Sequence, residues 1–236
     1  MSAKRPRPAW ASEQLTLAWQ SASLLLGYPD ERLREQLPVV REAARTLPVA
    51  LGGPLLEVVD HIGSEPLDRL QETYVETFDN RRRCNLFLTY FAHGDTRKRG
   101  VALLRFKQTY LHSGFVLDES ELPDHLCVVL EYAATIDQVR GRDLLLDHRA
   151  GLELLRLALA EEGSGWAGAV EAVCATLPPL RGDERDAVRR LAAEGPPAEE
   201  VGLTPYGTPG FDPALTPGPP DGTVDLPMPV LREVDA

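Results

Sequence analysis

The sequence predicts an all-α fold: a single bundle of roughly eight to ten helices over residues 1–194, then a Pro/Gly-rich tail at 195–236 expected to be disordered. Three observations carry this reading. Apolar residues return every three or four positions through most of the chain, the period of a helix face, and almost nowhere alternate as a strand would. Proline, glycine and small polar residues punctuate these stretches at intervals suited to short helices. Composition also changes abruptly at Gly195: the last 42 residues hold ten prolines, six glycines and seven acidic residues against the single basic Arg232. Such a segment cannot bury enough apolar surface to offset the entropy of ordering. No repeat of 20–50 residues emerges that would suggest a solenoid.

Each element follows from local signals. Ser12 is placed to cap a first helix running to Leu26, with Leu15, Ala18, Trp19, Ala22 and Leu26 on one face. Gly27-Tyr28-Pro29 stops it, and Asp30 caps a second helix that Pro38 interrupts or kinks. Leu55, Val58, Val59 and Ile62 mark a third helix after Pro54; Leu67, Leu70, Tyr74 and Phe78 mark a fourth after Ser64. The patch Leu86–Phe91 suits a short strand or a helical turn equally well. Lys98–His112 reads as a helix closed by Gly114 in a left-handed cap, with Asp95 or Thr96 capping its start. Pro123 opens a helix to about Val139, whose Leu126, Val128, Val129, Leu130, Ala133 and Ile136 surround most of the circumference. That girdle predicts a central place in the bundle. Leu144–Leu159, Trp166–Leu177 and Asp183–Ala193 complete the set.

Charge and composition exclude several classes of function. The chain has 25 Lys+Arg against 36 Asp+Glu, a formal charge of −11, which opposes general nucleic-acid binding. No apolar run approaches the ~18–20 residues needed to cross a bilayer, so membrane insertion is not expected. Lys4, Arg5 and Arg7 ahead of Leu15–Leu26 follow the order of a secretion signal. Glu13, Gln14 and Gln20 interrupt that stretch and no small-residue cleavage site follows it, so an ordinary helix is expected. Cys84, Cys127 and Cys174 are an odd number, far apart, with no Cys-x-x-Cys pair; they predict reduced thiols in a cytoplasmic compartment. No phosphate loop, dinucleotide fingerprint or nucleophile elbow occurs, and the five histidines never recur at helical spacing. No catalytic or metal site is therefore expected; Cys84 and Cys127 could meet a histidine in space, with a small buried hydrophobe the plainer reading of each.

The charge is unevenly spread. Between Arg81 and Lys107, eight cations face Asp95 alone, giving +7 inside an acidic protein. Eight of the fifteen aromatic residues fall between Tyr74 and Phe115, and an acidic cluster of Asp118, Glu119, Glu121 and Asp124 follows. Opposed patches beside an aromatic segment suit a binding surface, with Phe87, Tyr90, Arg97 and Arg99 as candidates; solvated charge is the plainer alternative. In Gly94–Gly100, Arg97, Lys98 and Arg99 sit on a first helical turn, where cations are favourable only near an anion. A nucleotide-binding loop and a structural cap both fit. In Glu121-Leu122-Pro123-Asp124-His125, the carboxylates and imidazole can crowd one helix terminus and receive a peptide backbone or a basic side chain. A plain helix start also fits.

Four segments together resemble one family: Tyr74–Asp79, Leu86–Tyr90, Gly94–Gly100 and Glu121–Leu126. Their order and spacing over about Leu15–Leu159 are similar to those of the respiratory nitrate reductase assembly chaperones. These are also called nitrate reductase delta subunits or molybdenum cofactor assembly chaperones, and they belong to the redox-enzyme maturation chaperones. The resemblance implies an all-helical, non-catalytic cytoplasmic chaperone that holds no cofactor itself. It would bind the apo catalytic subunit of nitrate reductase by its N-terminal segment. Molybdenum cofactor and an iron–sulfur cluster would then be inserted before docking to a membrane anchor, with the beta subunit and cofactor delivery proteins as further partners. It also implies that Tyr74 and Phe78, with Thr77 in place of the family's leucine, and Glu121, Pro123, Asp124 and His125 take part in client-peptide binding. A nucleotide-binding or hydrolysing protein using Gly94–Gly100, or a helical adaptor unrelated to metalloenzymes, are the alternatives.

Overall fold

The computed structural model describes residues 9–94, 96–118 and 121–194. The tail and its expected disorder lie outside the described residues, as does Asp95. Within them are eleven α-helices and one 3-10 turn. In chain order the helices are α1 (Ser12–Leu25), α2 (Glu31–Thr46), α3 (Val49–Ser64), α4 (Leu67–Phe78), α5 (Tyr90–His93) and α6 (Arg97–His112). They continue as α7 (Leu126–Thr135), α8 (Gln138–Asp147), α9 (Arg149–Glu161), α10 (Ala167–Thr176) and α11 (Gly182–Glu194). The 3-10 turn, Arg82–Cys84, lies between α4 and α5. No strand is present among the described residues; one isolated antiparallel bridge joins Phe87 to His125.

The count exceeds expectation for local reasons. α5 is a single turn inside the ambiguous Leu86–Phe91 patch. α8 occupies the apparent junction of two longer helices, because Asp137 accepts from the Arg140 N–H at 2.9 Å and starts a new one there. Asp30 caps α2 as expected, accepting from the Leu33 N–H at 2.7 Å. Ser12 does not cap α1: the N-cap is Ala11, whose N–H donates to Gln14 Oε1, while the Ser12 hydroxyl donates to Gln138 of α8. Pro38 lies inside a continuous α2. Pro123 does not open α7, whose N-cap is His125.

The core is built around α1 and α7, which pack on each other, and α10, which packs on α1 and α3. Leu15, Ala18, Trp19, Ala22 and Leu25 of α1 are buried, and the Trp19 indole donates to Thr176 Oγ1 at 2.9 Å. The expected girdle is present except at one position: Leu126, Val128, Val129, Leu130 and Ala133 are buried, with Tyr132 beside them, whereas Ile136 lies past the end of α7 and is exposed. The α3–α10 contact is close because Gly168 carries no side chain: a Cβ there would sit 2.2 Å from the Pro54 carbonyl oxygen. Gly168→Ala is therefore expected to cost about 1–3 kcal/mol by wedging the two helices apart, read as a lowered urea midpoint with an unchanged slope. An unaltered midpoint would show that this contact yields freely.

Candidate functional site

Tyr74 lies on the inner stripe of α4. It is buried, its hydroxyl donates to the Leu26 carbonyl at 2.8 Å, and burial pushes its pKa far up. Its ring packs on Phe78 (centroids 4.7 Å apart) and edge-on against Trp166 (5.6 Å) and Tyr28 (5.4 Å). Phe78 is buried in the same group. These two residues thus wall the core and support the surface above it. That surface is formed by Tyr28, 52% exposed, and Val75, 37% exposed. Together with Gln71, Glu72, Glu76 and Asn80 they line an open cleft of about 470 Å³. Glu72 and Glu76 are paired with Arg69 and Arg81 along its rim.

The charge of Asp79 bears on both Tyr74 and His125, less than burial does at either. Pro123 and Asp124 form a turn that runs antiparallel to Leu86–Leu88. The Leu88 N–H donates to the Asp124 carbonyl (3.0 Å), and the Leu126 N–H donates to the Leu86 carbonyl (2.9 Å). Asp124 is fully buried. Its Oδ2 accepts from the Thr89 N–H and the Thr89 hydroxyl, with the Arg99 guanidinium 3.6 Å away. Pro123 is anchored by the Tyr110 hydroxyl, which donates to its carbonyl at 2.6 Å. Asp124 therefore ties a loop, a turn and α6 together from inside, in place of the helix-terminus role its sequence position suggested.

On the outer side of this tie, His125 and Phe87 meet edge to face at 5.1 Å, and the Arg99 guanidinium carbon lies 5.2 Å from the Phe87 ring centre. All three are half-buried. His125 Nδ1 accepts from the Cys127 N–H, which leaves the proton of the neutral ring on Nε2. Tyr90 is buried against Phe91, whereas Arg97 and Glu121 are exposed. Thr96 holds the N-cap position of α6, but its hydroxyl donates backward to the His93 carbonyl.

The ten candidates thus separate by depth. Tyr74, Phe78, Tyr90, Pro123 and Asp124 build the support, while Phe87, Arg99, His125, Arg97 and Glu121 reach the surface. Arg99 also donates to Thr89 Oγ1, so this cation of the Gly94–Gly100 segment is turned inward. Sequence reasoning missed Tyr28, Val75 and Thr89. Tyr28 was visible as an aromatic residue in a turn, and Val75 and Thr89 each stood inside a family segment, Tyr74–Asp79 and Leu86–Tyr90.

Buried bases give the fold a pH dependence. His61, His125 and His148 are each held below their ordinary value of 6.5, primarily by burial. At His125 the charges of Asp124 and Asp79 oppose that lowering, and at His148 the Leu144 carbonyl does. The folded chain keeps these rings neutral while the unfolded chain takes up protons near pH 6.5. Their contribution is thus complete above 6.5 and declines as pH falls toward the folded values. Burial alone would raise Asp137 and Glu153, but hydrogen bonds and charge from Arg140 and Arg156 hold both below the ordinary carboxylate range. Those contributions are lost only in more acidic solution. Urea melts on either side of pH 6.5 should show the midpoint dropping on the acidic side well before the carboxylates titrate. A flat midpoint from pH 7 to 5 would contradict this.

Residues 38–172 match the family model for the nitrate reductase delta subunit. The chain is 41% identical over 165 residues to the nitrate reductase-like protein NarX of Mycobacterium tuberculosis H37Rv, covering 68% of this chain and 24% of that protein. It thus spans about a quarter of that relative. It is 33% identical to the NarJ protein of Bacillus subtilis, assigned as a nitrate reductase molybdenum cofactor assembly chaperone, over 68% of this chain and 88% of that one. With the nitrate reductase molybdenum cofactor assembly chaperone NarJ of Escherichia coli K12 it shares 36% identity, over 61% and 63% of the two chains. A crystal structure of a candidate redox enzyme maturation protein from Archaeoglobus fulgidus superposes with a TM-score of 0.51. The identity is 24%, over 74% of this chain and 98% of that one, a likeness of fold. By the family match across more than half its length, and by the extent of NarJ it covers, the chain belongs to the nitrate reductase delta subunit family.

Proposed function

We propose that this chain is a cytoplasmic, non-catalytic assembly chaperone. It holds the apo catalytic subunit of a respiratory nitrate reductase by its N-terminal segment while molybdenum cofactor and an iron–sulfur cluster are inserted, then releases it for membrane docking. The observation that carries the reading is the family match over residues 38–172, which contains both motifs. The support is physical as well. The cleft beside Tyr28 and Val75 offers apolar contact with carboxylates on its rim, and at the other motif His125 packs against half-buried Phe87. An amphipathic helix can bury its apolar side there while the charged rim sets its direction. The beta subunit and cofactor delivery proteins are further partners under the same reading.

The test is a calorimetric titration of the full chain with a peptide from the start of the client catalytic subunit. Binding near 1:1 is expected. Val75→Arg and Tyr28→Ala should weaken it about tenfold or more, the scale of a lost hot-spot contact, with little change in melting temperature because both residues are partly exposed. Tyr74→Phe should leave affinity unchanged while removing one buried hydrogen bond. Equal affinity of all three variants and the parent would place the client elsewhere.

A further inference from the structure

α6 presents a surface that the proposed function does not use. On its inner side Phe106 and Tyr110 are buried and Arg99 turns toward Asp124, while Arg105, at the edge of that side, pairs with Asp147. A solvated helix would place polar groups opposite that side. Here Val101 is 71% exposed, Leu104 57% and Leu111 61%. At 100° per residue the three fall within an arc of about 80°, centred roughly opposite Phe106 and Tyr110. Lys107 borders the arc on one side, Lys98 and Arg105 on the other, and Arg97 lies within it at the helix start; all four are exposed. α6 contains five Lys and Arg residues and no Asp or Glu.

An exposed helix face with an apolar centre and a cation on either side does not enclose a peptide. It matches the pattern of a helix lying flat in a lipid interface. We propose that α6 is a peripheral contact for an anionic lipid surface, with Val101, Leu104 and Leu111 entering the headgroup boundary and Lys98 and Lys107 pairing with lipid phosphates. This inference is independent of the client site. It concerns contact with one leaflet, since no helix among the described residues is long and apolar enough to cross a membrane.

The test is co-sedimentation of the full chain with extruded vesicles, either equimolar phosphatidylglycerol and phosphatidylcholine or phosphatidylcholine alone. Pelleting with the anionic vesicles at low salt is expected, with loss at high salt and weak pelleting with the neutral ones. Lys98→Gln and Lys107→Gln should each reduce the partition coefficient about fivefold, the scale for one cation at an anionic surface. Leu104→Glu should reduce it further, and circular dichroism should show all three variants folded like the parent because the changed side chains are exposed. If the chain stays in the supernatant, or the variants pellet like the parent, the proposal is overturned. If vesicles are not bound but the α6 variants lose affinity for the client peptide, this face is a protein-docking surface and the lipid assignment is wrong. Client-peptide titration of the parent, run in parallel, reports on the chaperone reading separately.

Discussion

Trp166→Ala is expected to be the most damaging single change, costing about 3–5 kcal/mol of stability. The indole is fully buried at the start of α10 and stands at the centre of an aromatic group. His61 meets it edge-on at 5.0 Å, Tyr74 at 5.6 Å and Phe78 at 5.7 Å. Truncation removes this packing and leaves a cavity bordered by α3, α4 and α10. Neither side can collapse easily, because Gly168 already brings α10 into backbone contact with α3. For a helical domain of this size the cost corresponds to a fall in melting temperature of roughly 10 °C. Thermal unfolding followed by circular dichroism checks it, and a loss below about 1 kcal/mol would mean that the group is not a packed core. Client affinity should survive at temperatures where the variant stays folded, since Trp166 has no exposed surface to offer.

The second large effect is expected at Asp124. Its removal as Asp124→Ala strips the acceptor from the Thr89 N–H and hydroxyl and the counter-charge from Arg99, all at a buried crossing of three segments. Unsatisfied buried donors and an uncompensated charge together should cost about 2–4 kcal/mol. The damage should also spread outward. The Leu86–Thr89 loop and Arg99 hold Phe87 and His125 in register, so peptide affinity should fall at temperatures where the variant is still folded. Thr89→Val removes the hydroxyl that donates to Asp124 and accepts from Arg99, and should cost about 1–2 kcal/mol. A double-mutant cycle between positions 89 and 124 should give a coupling above about 0.5 kcal/mol. Additive losses would show that the two side chains act independently.

These two predictions mark where the sequence was readable and where it was not. Tyr74, Phe78, Asp124 and His125 were all identified from motif and spacing. Whether each faced solvent or core could not be decided there, because a helix stripe has the same period in either case. Burial is set by what packs opposite, and the partner of Tyr74 is Trp166, 92 positions away. Asp124 shows the same limit. Proline and aspartate before an apolar run are the marks of a helix start, yet a chain segment 35 residues earlier captures the carboxylate first. Cap residues proved less decisive than periodicity for a related reason. Ser12 and Pro123 each had a competing partner that only the fold brings near, and the Thr96 hydroxyl bonds back to the His93 carbonyl.

By itself the sequence determined the all-α class, the order of the helices other than α5 and α8, the central place of α7, the uneven charge and the family. These depend on local periodicity and on short motifs, which need no distant contact to be read. The tertiary structure alone decided which motif residues support the surface and which reach it. It decided that a cleft opens beside Tyr28 and Val75, and that the outward stripe of α6 is apolar between cations. Those features arise where segments far apart in the chain exclude water from one another, and that exclusion is a property of the packed molecule.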